Sequence, residues 1–167
     1  SLGGACYVLI HNAPRSTWES YKRGRHEAFD PAAFAGRVVR LGAYGDPAAV
    51  PVEVWDRVLA RAAGWTGYTH QWRTADPLGI GRYCMASVDS SAEFTQAHAA
   101  GWRTFRVRRR GEPIRKGEFV CPASEEAGKR RTCETCQACD GRGARPGRFS
   151  PVINAHGNLK ARFKILQ

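Results

Sequence analysis

Four cysteines crowd into nineteen residues as Cys121-x11-Cys133-x2-Cys136-x2-Cys139, and whatever this stretch folds into must account for them together. Two intervening residues let a tight turn aim successive thiolates at one centre, and a third cysteine at the same interval makes a short claw around a cluster or ion. Cys121 then supplies the distant fourth ligand. Lys129, Arg130 and Arg131 stand just before the claw, where positive charge favours thiolate over thiol. The repeated C-x2-C-x2-C spacing is more typical of iron–sulfur proteins than of a single zinc ion, so a [4Fe-4S] cluster is the first expectation and zinc the second. Disulfide pairing or thiol chemistry is the third, because nothing in the sequence suggests secretion. Cys6 and Cys84 fall in expected strands and read as small buried apolar residues, Cys6 being the better outside ligand candidate.

The charge is lopsided. Residues 1–100 carry 10 Lys and Arg against 9 Asp and Glu, whereas residues 101–167 carry 16 against 6. A concentrated positive region attracts polyanions through counterion release, which makes nucleic acid the expected partner and an acidic host protein the alternative. Candidate phosphate contacts are Arg103, Arg106, Arg108, Arg109, Arg110, Lys129, Arg130, Arg131, Lys160, Arg162 and Lys164, with Trp102 or Phe149 as stacking platforms. No apolar run reaches the roughly 18 residues of a membrane helix, and no leader pattern opens the chain, so a soluble, cytoplasmic protein is expected. The first residue is Ser1, which leads us to expect further residues upstream.

At 167 residues a single domain is the default, with 109–150 an irregular segment organised by its metal. Short apolar runs alternate with amphipathic segments, the pattern of an α/β domain with a mostly parallel sheet and flanking helices. Expected strands are Cys6–Ile10, Arg37–Leu41, one within Trp65–Trp72, Cys84–Val88, Trp102–Arg108, Pro151–Ala155 and Leu159–Leu166. A helix opened by Ser16 or Thr17 carries Trp18 and Tyr21. A second starts at Pro51, lines Val54, Trp55, Val58, Leu59 and Ala62 along one face, and stops by Gly64. Ser90 and Glu93 form a capping box that opens a third helix, ending at Gly101. In Trp102–Arg108 the period of two puts Trp102, Thr104, Arg106 and Arg108 on one face, with Arg103, Phe105 and Val107 on the other.

Parallel α/β domains gather chemistry at the carboxyl ends of their strands. Those ends carry His11 and Asn12, Tyr44 and Asp46, His70, Asp89, and His156 with Asn158. Candidate catalytic residues are therefore His70, Asp46, Asp89 and His156, with His70, Asp46 and His156 expected to converge on one mouth. Each also has a structural explanation, as a turn residue, a cap or a hydrogen-bonded histidine. No nucleophile triad, Walker loop or dinucleotide fingerprint is present.

Gly4-Ala-Cys-Tyr7, Arg40-Leu-Gly-Ala-Tyr-Gly-Asp46, Gly67-Tyr-Thr-His70, Cys121-Pro-Ala123 with the claw, and Ala155-His-Gly157 are spread over most of the chain. Together they resemble the small cysteine-rich proteins of phages and mobile elements related to the mycobacteriophage gene-88 product. The resemblance implies a partial barrel-like or open α/β fold related to radical-enzyme architecture and sitting in the host cytoplasm, with function largely undefined. Radical enzymes carry an early C-x3-C-x2-C and leave one iron open. Here the claw is late, differently spaced and has Cys121 to close the fourth position. The expected function is a metal-fixed, basic nucleic-acid-binding accessory protein; the rival is a redox or nucleic-acid-modifying enzyme.

Overall fold

The computed structural model describes residues 11–128, 131–141 and 149–156. The expected strands at Cys6–Ile10 and Leu159–Leu166 lie outside them, as do Lys129, Arg130, Asn158, Lys160, Arg162 and Lys164. Helix α1 (Ala13–Lys22) begins before Ser16, with Pro14 in its first turn where a missing N–H costs nothing. Strand β1 (Val38–Arg40) follows, then helix α2 (Val52–Leu59), which starts after Pro51 as the sequence indicated. Gly64 is not the end of that helix. It opens β2 (Gly64–Thr66), which Gly67 separates from β3 (Tyr68–Thr69). Strand β4 (Met85–Val88), helix α3 (Ser91–Ala99) and strand β5 (Thr104–Arg108) come next. Then β6 (Glu118–Val120) appears inside the stretch that showed no period, followed by α4 (Cys133–Cys136) and β7 (Ser150–Asn154).

All strand pairs are parallel. Strand β1 pairs with β2, and a five-stranded sheet runs β3-β4-β5-β7-β6. Among the described residues the order does not close into a barrel, and the fold is an α/β one with parallel sheets and flanking helices. No helix among the described residues is long and apolar enough to cross a membrane.

The capping box of α3 forms with a variation. Ser90 Oγ accepts from Glu93 N at 3.1 Å, while Glu93 Oε2 reaches one residue further back than usual, to Asp89 N at 2.7 Å. The capped helix and α2 then deliver Val58, Leu59, Phe94 and Ala97 onto Ala86 and Val88 of β4, with Leu41, Trp72, Ile80 and Trp102 completing the core. Trp102 is therefore a core residue, 2% exposed, and is removed from the set of stacking platforms. Phe149, at 62%, stays in it.

The same face of β5 continues past Trp102 and Thr104 into Arg106, which has no exposed surface at all. A guanidinium held there needs compensating charge. It donates to Glu118 of β6 from Nε at 2.7 Å and Nη2 at 2.8 Å, to the carboxylate of Glu112, and to the carbonyl of Pro113 at 3.1 Å. Arg108 repeats the pattern, donating to the Glu112 carbonyl and the Glu126 carboxylate. Arg115 then fastens the 109–117 loop to α3 through Ser91 O at 2.9 Å and Thr95 Oγ1 at 3.1 Å. Ion pairs thus hold the first part of the 109–150 segment against the sheet.

Removing one partner of such a buried pair leaves the other charge stranded. Arg106→Met is expected to destabilise the fold by about 3–5 kcal/mol in urea unfolding. Arg106→Met with Glu118→Leu should recover much of that loss, whereas Arg109→Ala, at the exposed end of the strand, should stay within about 0.5 kcal/mol of the parent.

Candidate functional site

The C-x2-C of Cys133 and Cys136 is one turn of helix, α4, and its local sequence explains it. Thr132 Oγ1 accepts from Thr135 N at 3.3 Å and Thr135 Oγ1 accepts from Thr132 N at 3.2 Å, a reciprocal cap. Cysteines three apart on a helical turn share a face. Gln137 then takes a left-handed backbone, φ 49°, and reverses the chain so that Cys139 returns beneath the turn. Cys121 arrives from the end of β6, its N–H bonded to Val152 O at 2.9 Å.

The segment 137–141 lies across the face of the sheet opposite the core, against the amino ends of its strands. Gly67 N donates to Cys139 O at 2.9 Å. Gly141, at φ 69°, sits so close to the backbone of Tyr83 and Cys84 that a Cβ would stand 2.6 Å from Cys84 N. Only glycine fits that approach. Arg103, just before β5, is the main clamp. Its Nη1 donates to Asp140 Oδ1 at 2.8 Å and Gly141 O at 2.6 Å, and its Nη2 to Ala138 O at 3.0 Å and Phe149 O at 3.2 Å.

The four thiols fall within one electrostatic neighbourhood. Burial pushes Cys139 far up, and the charges of Cys121, Cys133 and Cys136 push it the same way, while Arg103 opposes them. Burial likewise raises Cys121, with Cys133 and Cys136 adding to it. Tyr68, its ring 4.6 Å from that of Phe105, is raised first by burial and then by Cys139. None of the five described cysteines is in a disulfide. Among the described residues, no group of three or more His, Cys, Asp or Glu side chains is arranged to hold a metal ion. Cys84 is 1% exposed and its thiol is pushed up to about 12 by burial and then by Asp46, the inert buried residue that its strand position indicated.

The other candidates separate from the claw. Asp46 accepts from Thr69 Oγ1 at 2.6 Å, His70 N at 2.8 Å and Ala48 N at 3.0 Å, so it is a cap that ties a turn to the carboxyl end of β3. Exposed His70 lies near buried Asp89, whose carboxyl is raised by burial, lowered by His70 and raised by Glu93. Glu93 also pairs with Arg73 at 2.5 Å. The contacts that link Asp46, His70 and Asp89 do not extend to His156, which bonds through Nδ1 to Asn154 O at 3.1 Å. Asp46, His70 and Asp89 thus stand together, and the contact that His156 makes is local. That group lies at the carboxyl ends of β3 and β4, whereas segment 137–141 docks at their amino ends.

Of the arginines marked for phosphate, Arg103, Arg106 and Arg108 have side chains only 12%, 0% and 6% exposed, and all are paired inside. The structure removes them from the surface set, because their guanidiniums neutralise internal carboxylates. Arg109, Arg110 and Arg131 are exposed. Comparison of the chain with family models, with curated proteins and with solved structures finds no match.

Hydrogen bonds to a charged group contribute roughly 1.5–3 kcal/mol each, so losing the Arg103 clamp should open the cysteine segment locally. Arg103→Ala is expected to speed amide exchange of residues 138–141 by about tenfold or more, with β4 unaffected, by mass-spectrometric hydrogen exchange. Asp89 generates a pH prediction. Its folded pKa lies above the ordinary 3.8, so its ionisation costs nothing below that value and increasingly destabilises the fold as pH rises through the raised value. Asp89→Asn should melt higher than the parent at neutral pH and lose the advantage on acidification.

Proposed function

We propose that Cys121, Cys133, Cys136 and Cys139 hold a [4Fe-4S] cluster, with zinc as the alternative, that fixes a basic surface for nucleic-acid binding. The observation that carries this reading is that the charges of Cys121, Cys133 and Cys136 all bear on Cys139, whose segment Arg103 docks on the sheet. Four soft thiolates suit iron–sulfur or zinc chemistry. The side chains as they stand do not close on a single ion. The repeated two-residue spacing of Cys133, Cys136 and Cys139 favours a cluster over zinc. Bound there, it would supply a structural crosslink or an electron-transfer centre, while Arg103 would offset the negative charge of its thiolates.

The internal ion pairs sharpen the basic surface instead of diminishing it. Glu112, Glu118, Glu126 and Asp140 are four of the six acidic residues in 101–167, and all four pair with Arg103, Arg106 or Arg108. Arg109, Arg110 and Arg131 are left facing solvent with few acids to balance them, and Lys129, Arg130, Lys160, Arg162 and Lys164 belong to the same basic sequence. An accessory protein of a phage or mobile element, acting on nucleic acid in the host cytoplasm, fits this combination. A redox or nucleic-acid-modifying enzyme is the second reading, favoured by the raised Asp89 beside His70.

Anaerobic purification followed by iron, sulfide and zinc analysis tests the centre. Brown protein with about equal iron and acid-labile sulfide is expected, and the paired substitution Cys136→Ser, Cys139→Ser should abolish both. Stoichiometric zinc without sulfide would replace the cluster by its alternative, and no metal at all would end the reading. Affinity for a DNA or RNA oligonucleotide should fall steeply with salt and weaken in Arg109→Ala, Arg110→Ala; His70→Ala should leave it unchanged.

A further inference from the structure

A cleft of about 440 Å³ opens beside the claw, lined by Gly36, Arg37, Val38, Arg40, Thr66, Cys133 and Glu134. Its volume is in the range of small-molecule sites. Arg37 and Arg40 are exposed, and among the described residues neither has a carboxylate partner. That sets them apart from Arg73, Arg82, Arg103, Arg106 and Arg108, each of which has one. Arg40 is held over the Tyr68 ring, 5.7 Å from its centroid, which restrains its guanidinium on the cleft side of the sheet. Thr66, 2% exposed and in register with Arg40 across the β1–β2 pair, brings a hydroxyl to the wall.

We propose that this cleft binds a nucleoside phosphate. Two guanidiniums without internal acceptors supply forked donors that match phosphate oxygens. Glu134, on the opposite wall, repels a bare anion and accepts from a hydroxyl, so it selects a ligand that carries a sugar beside its phosphate. A nucleotide of mono- or diphosphate size meets both walls within the volume available. Cys133 would lie alongside it, which places the ligand at the edge of the cysteine centre. The inference rests on the cleft and its charges and stands whichever metal the claw takes.

The test is isothermal titration of the full chain with ADP, UDP, inorganic pyrophosphate and a short oligothymidylate, with metal content measured on the same samples. Saturable one-to-one binding of ADP or UDP is expected, tighter than that of pyrophosphate. Arg37→Gln and Arg40→Gln should each weaken it by about tenfold or more, since each removes charged hydrogen bonds. Both residues are exposed, so the variants should fold as the parent does, with circular dichroism as the check. Glu134→Gln should weaken the nucleotides and spare pyrophosphate, while Arg15→Gln, exposed and outside the cleft, should leave both unchanged. Absence of saturable nucleotide binding overturns the proposal. So does pyrophosphate binding as tightly as ADP, a loss of ADP binding in Arg15→Gln as large as in Arg40→Gln, or oligothymidylate binding that Arg40→Gln weakens as much as it weakens ADP binding. Nucleotide binding by metal-free protein would sink the proposed cluster and leave this inference intact; a cluster without nucleotide binding would do the reverse.

Discussion

Strand β5 places arginine side chains on both faces of a parallel sheet, and the charge they carry there must be answered from within the molecule. Arg106 points into the face that α2 and α3 cover, where water has no access, and its guanidinium draws Glu118 and Glu112 onto it. Arg103 points to the other face and gathers the carbonyls of Ala138, Gly141 and Phe149 with the carboxylate of Asp140. The first demand sets the path of the loop between β5 and β6. The second sets the path of the cysteine segment between β6 and β7. Two connections without a helix of eight or more residues are therefore positioned by one strand, and β7 can slot between β5 and β6 because both are held clear of its place.

This arrangement changes what the basic composition means. A count of Lys and Arg treats every cation as a surface feature, yet a buried guanidinium consumes carboxylates that would otherwise stand outside. The interior is close to neutral and the exterior of the same segment is left more basic than the overall ratio suggests. Arg109 and Arg110 directly continue the strand whose Arg106 and Arg108 are internal. Along five residues, the same side chain passes from structural ion to candidate ligand contact, and the difference is position relative to the end of the sheet.

Much of the α/β architecture was legible because its signals are local. Pro51 ahead of an apolar stripe gave α2, Ser90 and Glu93 gave the start of α3, and period-two alternation assigned the two faces of β5 correctly. The meaning of those faces was not legible. Alternation said that Arg106 and Arg108 share a side with Trp102 and that Arg103 opposes them, which already separated the core-facing pair from the clamp. The default that arginine faces solvent overrode it. Strand β6 was hidden for a related reason: Glu118-Phe-Val120 is too short to show a period, and its first residue is an acid that belongs to Arg106. The clamp on the cysteine segment depends on residues 35 to 46 positions apart, a range at which single-sequence patterns carry no signal.

The division of the sheet into two ends bears on how the claw could work with the rest of the protein. Catalytic groups in open parallel sheets collect where strands finish, and Asp46, His70 and Asp89 do so here. Segment 137–141 instead docks where strands begin, through Gly67, Cys84 and Arg103, whereas Cys121 follows the last residue of β6. The cleft lined by Arg37, Arg40 and Cys133 lies on the claw's side of the sheet, so any ligand that communicates with the cysteine centre meets it there. Asp46, His70 and Asp89 thus stand together through their own contacts, and the cleft stands apart from them, beside Cys133 and Arg40.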